Sequence, residues 1–171
     1  MTITPSESEI RAFVGSNSKY YLKKFLPSAT GKISISNFNL GALFFGILWL
    51  PYRKIWKVAY MFYGIIVVEM ILEMIIFQGI LHREVPVAWD RISGIIPAVI
   101  CGQFGNRWYY SQMCNVISEL RPDEYPDESY LKKLSERGGT NLAASFGLFI
   151  LFIVVIVGVA MLVSLLTGSL Q

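Results

Sequence analysis

Glu69 and Glu73 are the residues whose type and spacing most invite chemistry. Four positions apart, they share one face of a helix. Between Val58 and Leu81 they are the only ionisable side chains apart from weakly acidic tyrosines. At 1.5 Å per residue, Glu69 stands about 16 Å from Val58, near the midplane of a bilayer. Carboxyl groups at that depth face a protein interior, a partner or water, and they serve in proton and ion pathways. On the next apolar segment, Gln103 falls at about the same depth when counted from Ile92, and Asn106 lies one turn further on. Three readings of these intramembrane polar residues stand: a protonated Glu69 bonded to Gln103, a basic or polar partner in another subunit, and proton or ion passage.

Other chemistry has little to rest on. The sequence carries no nucleophile elbow, Gly-rich phosphate loop or metal-binding helix motif. No catalytic, cofactor-binding or metal-ligating residue is therefore expected. His82 has no second ligand near it in sequence. Cys101 and Cys114 would be about 20 Å apart on one continuous helix, too far for a disulfide there. A basic face can suggest nucleic acid, but the membrane charge bias explains it more simply.

The elements that must position the carboxyl pair follow from composition. The chain has 171 residues, of which 54 % are hydrophobic and only 16 % charged. A soluble domain averages about 25 % charged. Residues 58–81 and 142–166 form apolar runs of 24 and 25 residues, longer than the roughly 20 needed to cross a hydrocarbon core. The sequence predicts an all-α integral membrane protein with three transmembrane helices, at 58–81, 92–110 and 142–166.

A cytoplasmic amphipathic arm over 1–37 precedes them, without a cleavable signal or a lipidation box. In it Ser6 and Glu9 fit a capping box ahead of Ile10, Phe13 and Val14. Gly15 to Ser18 interrupts that helix. A second segment, Lys19 to Leu26, interleaves aromatics with lysines before Pro27, and suits either a headgroup surface or a packed contact within the protein. The membrane domain, 38–120, opens with a short re-entrant or interfacial element, 38–52, about half a span long and stopped by Pro51. Trp49, Tyr52 and Trp56 would sit at headgroup depth, beside Arg53, Lys54 and Arg107. That block reads as an ordinary anchor or as a contact for anionic lipid. An acidic cytoplasmic linker over 121–141 contains Pro122 to Tyr130 and a short helix capped by Asp127 and ended by Gly138-Gly139. In the last segment, 142–171, Ala143, Gly147 and Gly158 form a small-residue stripe for close helix packing.

Orientation follows from the basic residues. With the amino terminus in the cytoplasm and 38–52 not crossing, 13 Lys and Arg fall inside and only Arg83 and Arg91 outside, as the positive-inside rule favours. The carboxyl terminus is then external.

Phe13-Val14-Gly15 with Tyr20-Tyr21-Leu22, Phe38-Asn39 through Phe44-Phe45-Gly46, Trp49-Leu50-Pro51-Tyr52-Arg53-Lys54, and Gly102-Gln103-Phe104-Gly105-Asn106 with Tyr109-Tyr110 resemble a family of small bacterial inner-membrane proteins. That family carries the label "domain of unknown function 2628", and the resemblance covers roughly residues 13–120. It implies residence in a bacterial inner membrane and supplies no catalytic residue, because the family has no assigned activity. The expected function is a non-enzymatic accessory or scaffold subunit of a membrane protein complex, in contact with anionic lipid and with other subunits. The alternative is an oligomeric channel or transporter-like protein using Glu69 and Glu73.

Overall fold

The computed structural model describes residues 4–26, 38–121 and 127–167. All secondary structure among these residues is helical. Pro27, Lys32 and the acidic run Pro122 to Pro126 lie outside them.

Helix α1 (Glu7–Val14) starts at the expected capping box. The Ser6 side chain accepts from the Glu9 N–H, and the Glu9 carboxylate accepts from the Ser6 N–H. A 3-10 turn over Gly15–Asn17 breaks the chain before α2 (Ser18–Phe25), where Gly15 takes φ +72°. Helix α2 turns Tyr21, Leu22 and Phe25 inward. Its apolar face is therefore buried against protein, which settles the headgroup-or-packing alternative among these side chains in favour of packing.

The short apolar element is in three pieces: α3 (Leu40–Phe45), a 3-10 turn (Gly46–Leu48) and α4 (Trp49–Tyr52). The break is not at Pro51, which sits inside α4. It comes at Gly46, whose φ of +49° is a left-handed conformation that glycine adopts most readily. Helix α5 (Trp56–Glu73) continues into a π-helical stretch, Met74–Ile80.

Helix α6 (Val87–Leu120) is one rod of 34 residues, about 51 Å long. The expected span at 92–110 is only its middle. Gln103, Asn106 and Arg107 lower its hydropathy, and its second half is packed under α1 and α2. Helix α7 (Glu128–Arg137) is capped by Asp127, whose side chain accepts from the Tyr130 N–H. Rather than lying in a free linker, it packs on α1. The Gly139 N–H donates to the Phe13 carbonyl at 2.6 Å, and a Cβ at Gly138 would collide with that same backbone. Helix α8 (Leu142–Thr167) closes the described chain.

Among the described residues, two helical stretches are long and apolar enough to cross a membrane. One is Trp56–Ile80, and the other lies within Glu128–Leu165 and takes its hydropathy from α8. Only 17 % and 6 % of their most apolar windows are buried, so neither is the core helix of a soluble protein. Helices α5 and α8 run parallel, since Tyr63 meets Phe152 with ring centroids 4.6 Å apart and the Asn141 N–H donates to the Tyr52 carbonyl at 2.8 Å. Helix α6 returns antiparallel to α5, with Phe62 against Trp108. The molecule thus has a head, built from α1, α2, α7 and the second half of α6, and an apolar half, built from α5, α8 and the start of α6.

Candidate functional site

Tyr109 is the centre of the head. It is fully enclosed, and its ring lies 5.5 Å from Phe13, 5.1 Å from Tyr21, 6.2 Å from Phe25 and 6.2 Å from Trp49. Against this cluster stands Arg53, 2 % exposed. The carbon of its guanidinium is 5.1, 5.4 and 5.3 Å from the ring centroids of Tyr21, Tyr52 and Tyr109. Three ring faces attract the cation, yet Nε and Nη1 have no hydrogen-bond partner among the described residues. Burial pushes the Tyr21 hydroxyl up to about 12 in spite of the neighbouring Arg53 charge.

A second constellation joins α3 to α6. The Asn39 side-chain N–H donates to Asn106 Oδ1 at 2.8 Å, its oxygen accepts from the Ala42 N–H at 2.9 Å, and its backbone N–H donates to the Gly102 carbonyl at 2.8 Å. Asn39 thereby caps α3 and ties it to α6 at once. The Asn106 amide donates in turn to the Tyr20 hydroxyl at 3.3 Å. Gly102 and Gly105 make this approach possible. A Cβ on Gly102 would lie 2.7 Å from the Phe38 ring, and one on Gly105 would lie 3.0 Å from Ala42 and 3.2 Å from Trp49.

A third constellation closes the head at its far end. The buried Glu9 carboxylate accepts from Arg121 Nη2 at 2.8 and 2.7 Å, from Arg121 Nε at 3.1 Å, from the Tyr130 hydroxyl at 2.6 Å and from the Ser6 N–H at 2.7 Å. Burial alone would raise its pKa. The hydrogen bonds from Ser6, Tyr130 and Arg121 outweigh that and hold it below the ordinary 4.5.

The residues singled out from sequence are distributed otherwise than expected. Glu69 and Glu73 stand half-buried on α5, beside Asp90 and Ser93 of α6. Gln103 is exposed on α6 and is not the partner of Glu69; the face of α6 that carries Gly102, Gly105 and Asn106 packs on α3 instead. The shared depth was inferred from counting along two straight helices, which says nothing of rotation about their axes. Trp49 and Arg53, expected at headgroups, are buried within the protein. Tyr52 and Lys54 are half-buried, and Lys54 Nζ donates to the Glu136 carbonyl at 2.8 Å. Trp56 stacks on Tyr60, and Arg107 is exposed. On α8 nothing lies within 4 Å of a Cβ built at Gly147 or Gly158, and Ala143 is exposed. The small stripe packs against no other part of the described chain; Ser145, Phe149, Phe152 and Ile156 turn inward instead.

Sequence reasoning missed Asn39 as the partner of Asn106, and Arg121 and Tyr130 as the partners of the buried Glu9. Asn39 had a signal, an N-cap residue before an apolar run. Arg121 had none, because its partner is 112 residues away. No curated protein and no solved structure matches the chain. The model of one family, described as "Protein of unknown function (DUF2628)", matches residues 10–114, from α1 to the second half of α6.

Proposed function

From the premise that the chain belongs to this family of proteins of unknown function, a membership shown by a match over more than half its length, we propose that it is a non-enzymatic inner-membrane subunit. In this reading it is an accessory or scaffold component of a bacterial membrane protein complex. The observation that carries it is how the polar groups of the head are used. Glu9, Asn39, Asn106, Arg121 and Tyr130 are engaged in joining α1, α3, α6 and α7, a use that serves rigidity rather than turnover. Two spanning stretches with exposed apolar faces and the outward small residues of α8 supply surface for neighbouring subunits.

In this proposal the head is cytoplasmic, the start of α6 completes three crossings, and the carboxyl terminus is external. The basic residues support it: Arg83 and Arg91 fall at the far end of the apolar half, while 12 described Lys and Arg belong to the head or its junction with the membrane. Isolation in mild detergent tests the reading. The chain is expected to migrate in a defined complex with another protein, and Gly147→Leu is expected to release it. Migration of the wild-type chain alone, or with copies of itself only, would sink the proposal.

A second reading has its own observation. A cavity of about 400 Å³ between α3, α5, α6 and α8 is lined by Glu69, Glu73, Asp90 and Ser93. An oligomeric channel or transporter-like protein would place a polar path there. It requires that Glu69→Gln abolish ion or proton flux in vesicles while leaving the fold intact.

A further inference from the structure

Among the described residues, the guanidinium of Arg53 is a buried cation without a counter-ion. The three ion pairs among the described residues use Arg11, Arg121 and Arg137. A buried charge is costly unless it is paired and hydrogen-bonded, and three ring faces offset only part of that cost. Arg53 is also not sealed in a solid core. It lines a cavity of about 400 Å³ bounded by α3, α4 and the start of α8. Asn17, Tyr52 and Ser145 also border the cavity, Ser145 with its hydroxyl donated to the Leu48 carbonyl at 2.7 Å, and the remaining wall includes Phe45, Leu142 and Phe146. These three apolar residues are 65 %, 61 % and 54 % exposed, so the apolar wall continues onto the surface of the apolar half. The first turn of α8 borders the same cavity, and its positive dipole end adds to the field of Arg53.

We propose that this cavity binds one anionic phospholipid, its phosphate held by Arg53 and an acyl chain laid along Phe45, Leu142 and Phe146. A guanidinium fork suits a phosphate oxygen pair, and a ligand with a charged head and an apolar body matches a wall that changes character in the same order. The site lies inside the protein, distinct from the general attraction of surface lysines for a charged leaflet. It does not depend on the scaffold reading.

The full chain, purified in a non-ionic detergent, is titrated with phosphatidylglycerol, phosphatidylcholine or inorganic phosphate. Bound molecules are counted by native mass spectrometry. One phosphatidylglycerol is expected to be retained per chain, in preference to phosphatidylcholine. Arg53→Gln should weaken retention about tenfold or more, as loss of a charge-assisted contact does. Lys57→Gln, at an exposed lysine, should leave it unchanged. Should Arg53→Gln not fold, Leu142→Trp decides, because it fills the mouth of the cavity from an exposed position and leaves the ring cage alone; it too should weaken retention about tenfold. Equal retention of phosphatidylcholine, or retention insensitive to Leu142→Trp or to a folded Arg53→Gln, would overturn the proposal. Binding of inorganic phosphate as tight as that of the lipid would overturn the lipid assignment.

Discussion

In the head, Phe13, Tyr21, Phe25 and Tyr109 are enclosed to 2 % exposure or less, and Glu9 and Asn106 to 1 % or less. On α8, by contrast, Ile150, Val154 and Leu162 stand 62 %, 62 % and 57 % exposed. Much of the polar chemistry of the head is satisfied through contacts between residues as far apart as Glu9 and Tyr130, Arg53 Nε and Nη1 being an exception. The apolar half has ring contacts such as Tyr63 to Phe152 and large faces that meet nothing among the described residues. Specificity of structure is therefore concentrated in the head, where a wrong partner leaves a buried polar atom unpaired. The other half is finished by whatever surrounds it. Substitutions that separate the two regimes should accordingly differ in size.

The largest effect is expected from Gly138→Ala. Its methyl group would strike the Phe13 backbone, which cannot swing aside as a side chain can. A loss of about 3 kcal/mol, at the upper end of overpacking costs, is expected in denaturant titrations followed by near-ultraviolet dichroism of the head aromatics. Loss under 1 kcal/mol would show that α7 is only loosely docked on α1.

Next is Asn39→Ala. It removes the cap of α3 and the buried hydrogen bond from Asn39 to Asn106 Oδ1, for about 2 kcal/mol in the same measurement. An unaltered melting curve would mean that Gly102 and Gly105 alone hold α3 against α6.

Titration sharpens the comparison further. Glu9 has a lower pKa folded than unfolded, so its contribution is complete above about pH 4.5 and is lost as pH falls through the lowered value. Tyr130 is pushed up to about 12, first by burial and then by Glu9. Its contribution is complete below pH 10 and is lost as pH rises toward 12. The head should loosen at both edges, and Glu9→Gln should remove the acid one, read by aromatic dichroism against pH. An acid edge unchanged in Glu9→Gln would assign it to another carboxyl group.

The smallest effect belongs to Gly147→Ala, with open space around its Cβ. Less than about 0.5 kcal/mol is expected for the isolated chain. A change above 1 kcal/mol in detergent would show that the outward face of α8 is already packed in the purified protein.

The two regimes also differ in what the sequence disclosed. Ser6, Asp127 and Gly138-Gly139 bounded their helices as expected, because caps are local. The apolar runs at 58–81 and 142–166 marked α5 and α8, because a run of that length has few other readings. What stayed hidden was rotation and distance along the chain. The position of Gln103 was read from rise per residue, and its exposure depends on which face α3 occupies. Arg53 looked like one basic residue among many beside tryptophans. Only the convergence of Tyr21, Tyr52 and Tyr109, from three separate segments, encloses it. Its neighbours in sequence, Lys54 and Lys57, carry the same charge and are half-buried and exposed.

The span of 112 residues between Glu9 and Arg121 is also an interval of time. At about 5–20 residues per second, the ribosome adds Arg121 some 6–22 seconds after Glu9. For most of that interval Phe13, Tyr21 and Phe25 have no Tyr109 to close on, and through all of it Glu9 lacks Arg121. The first helix made is thus among the last to be docked.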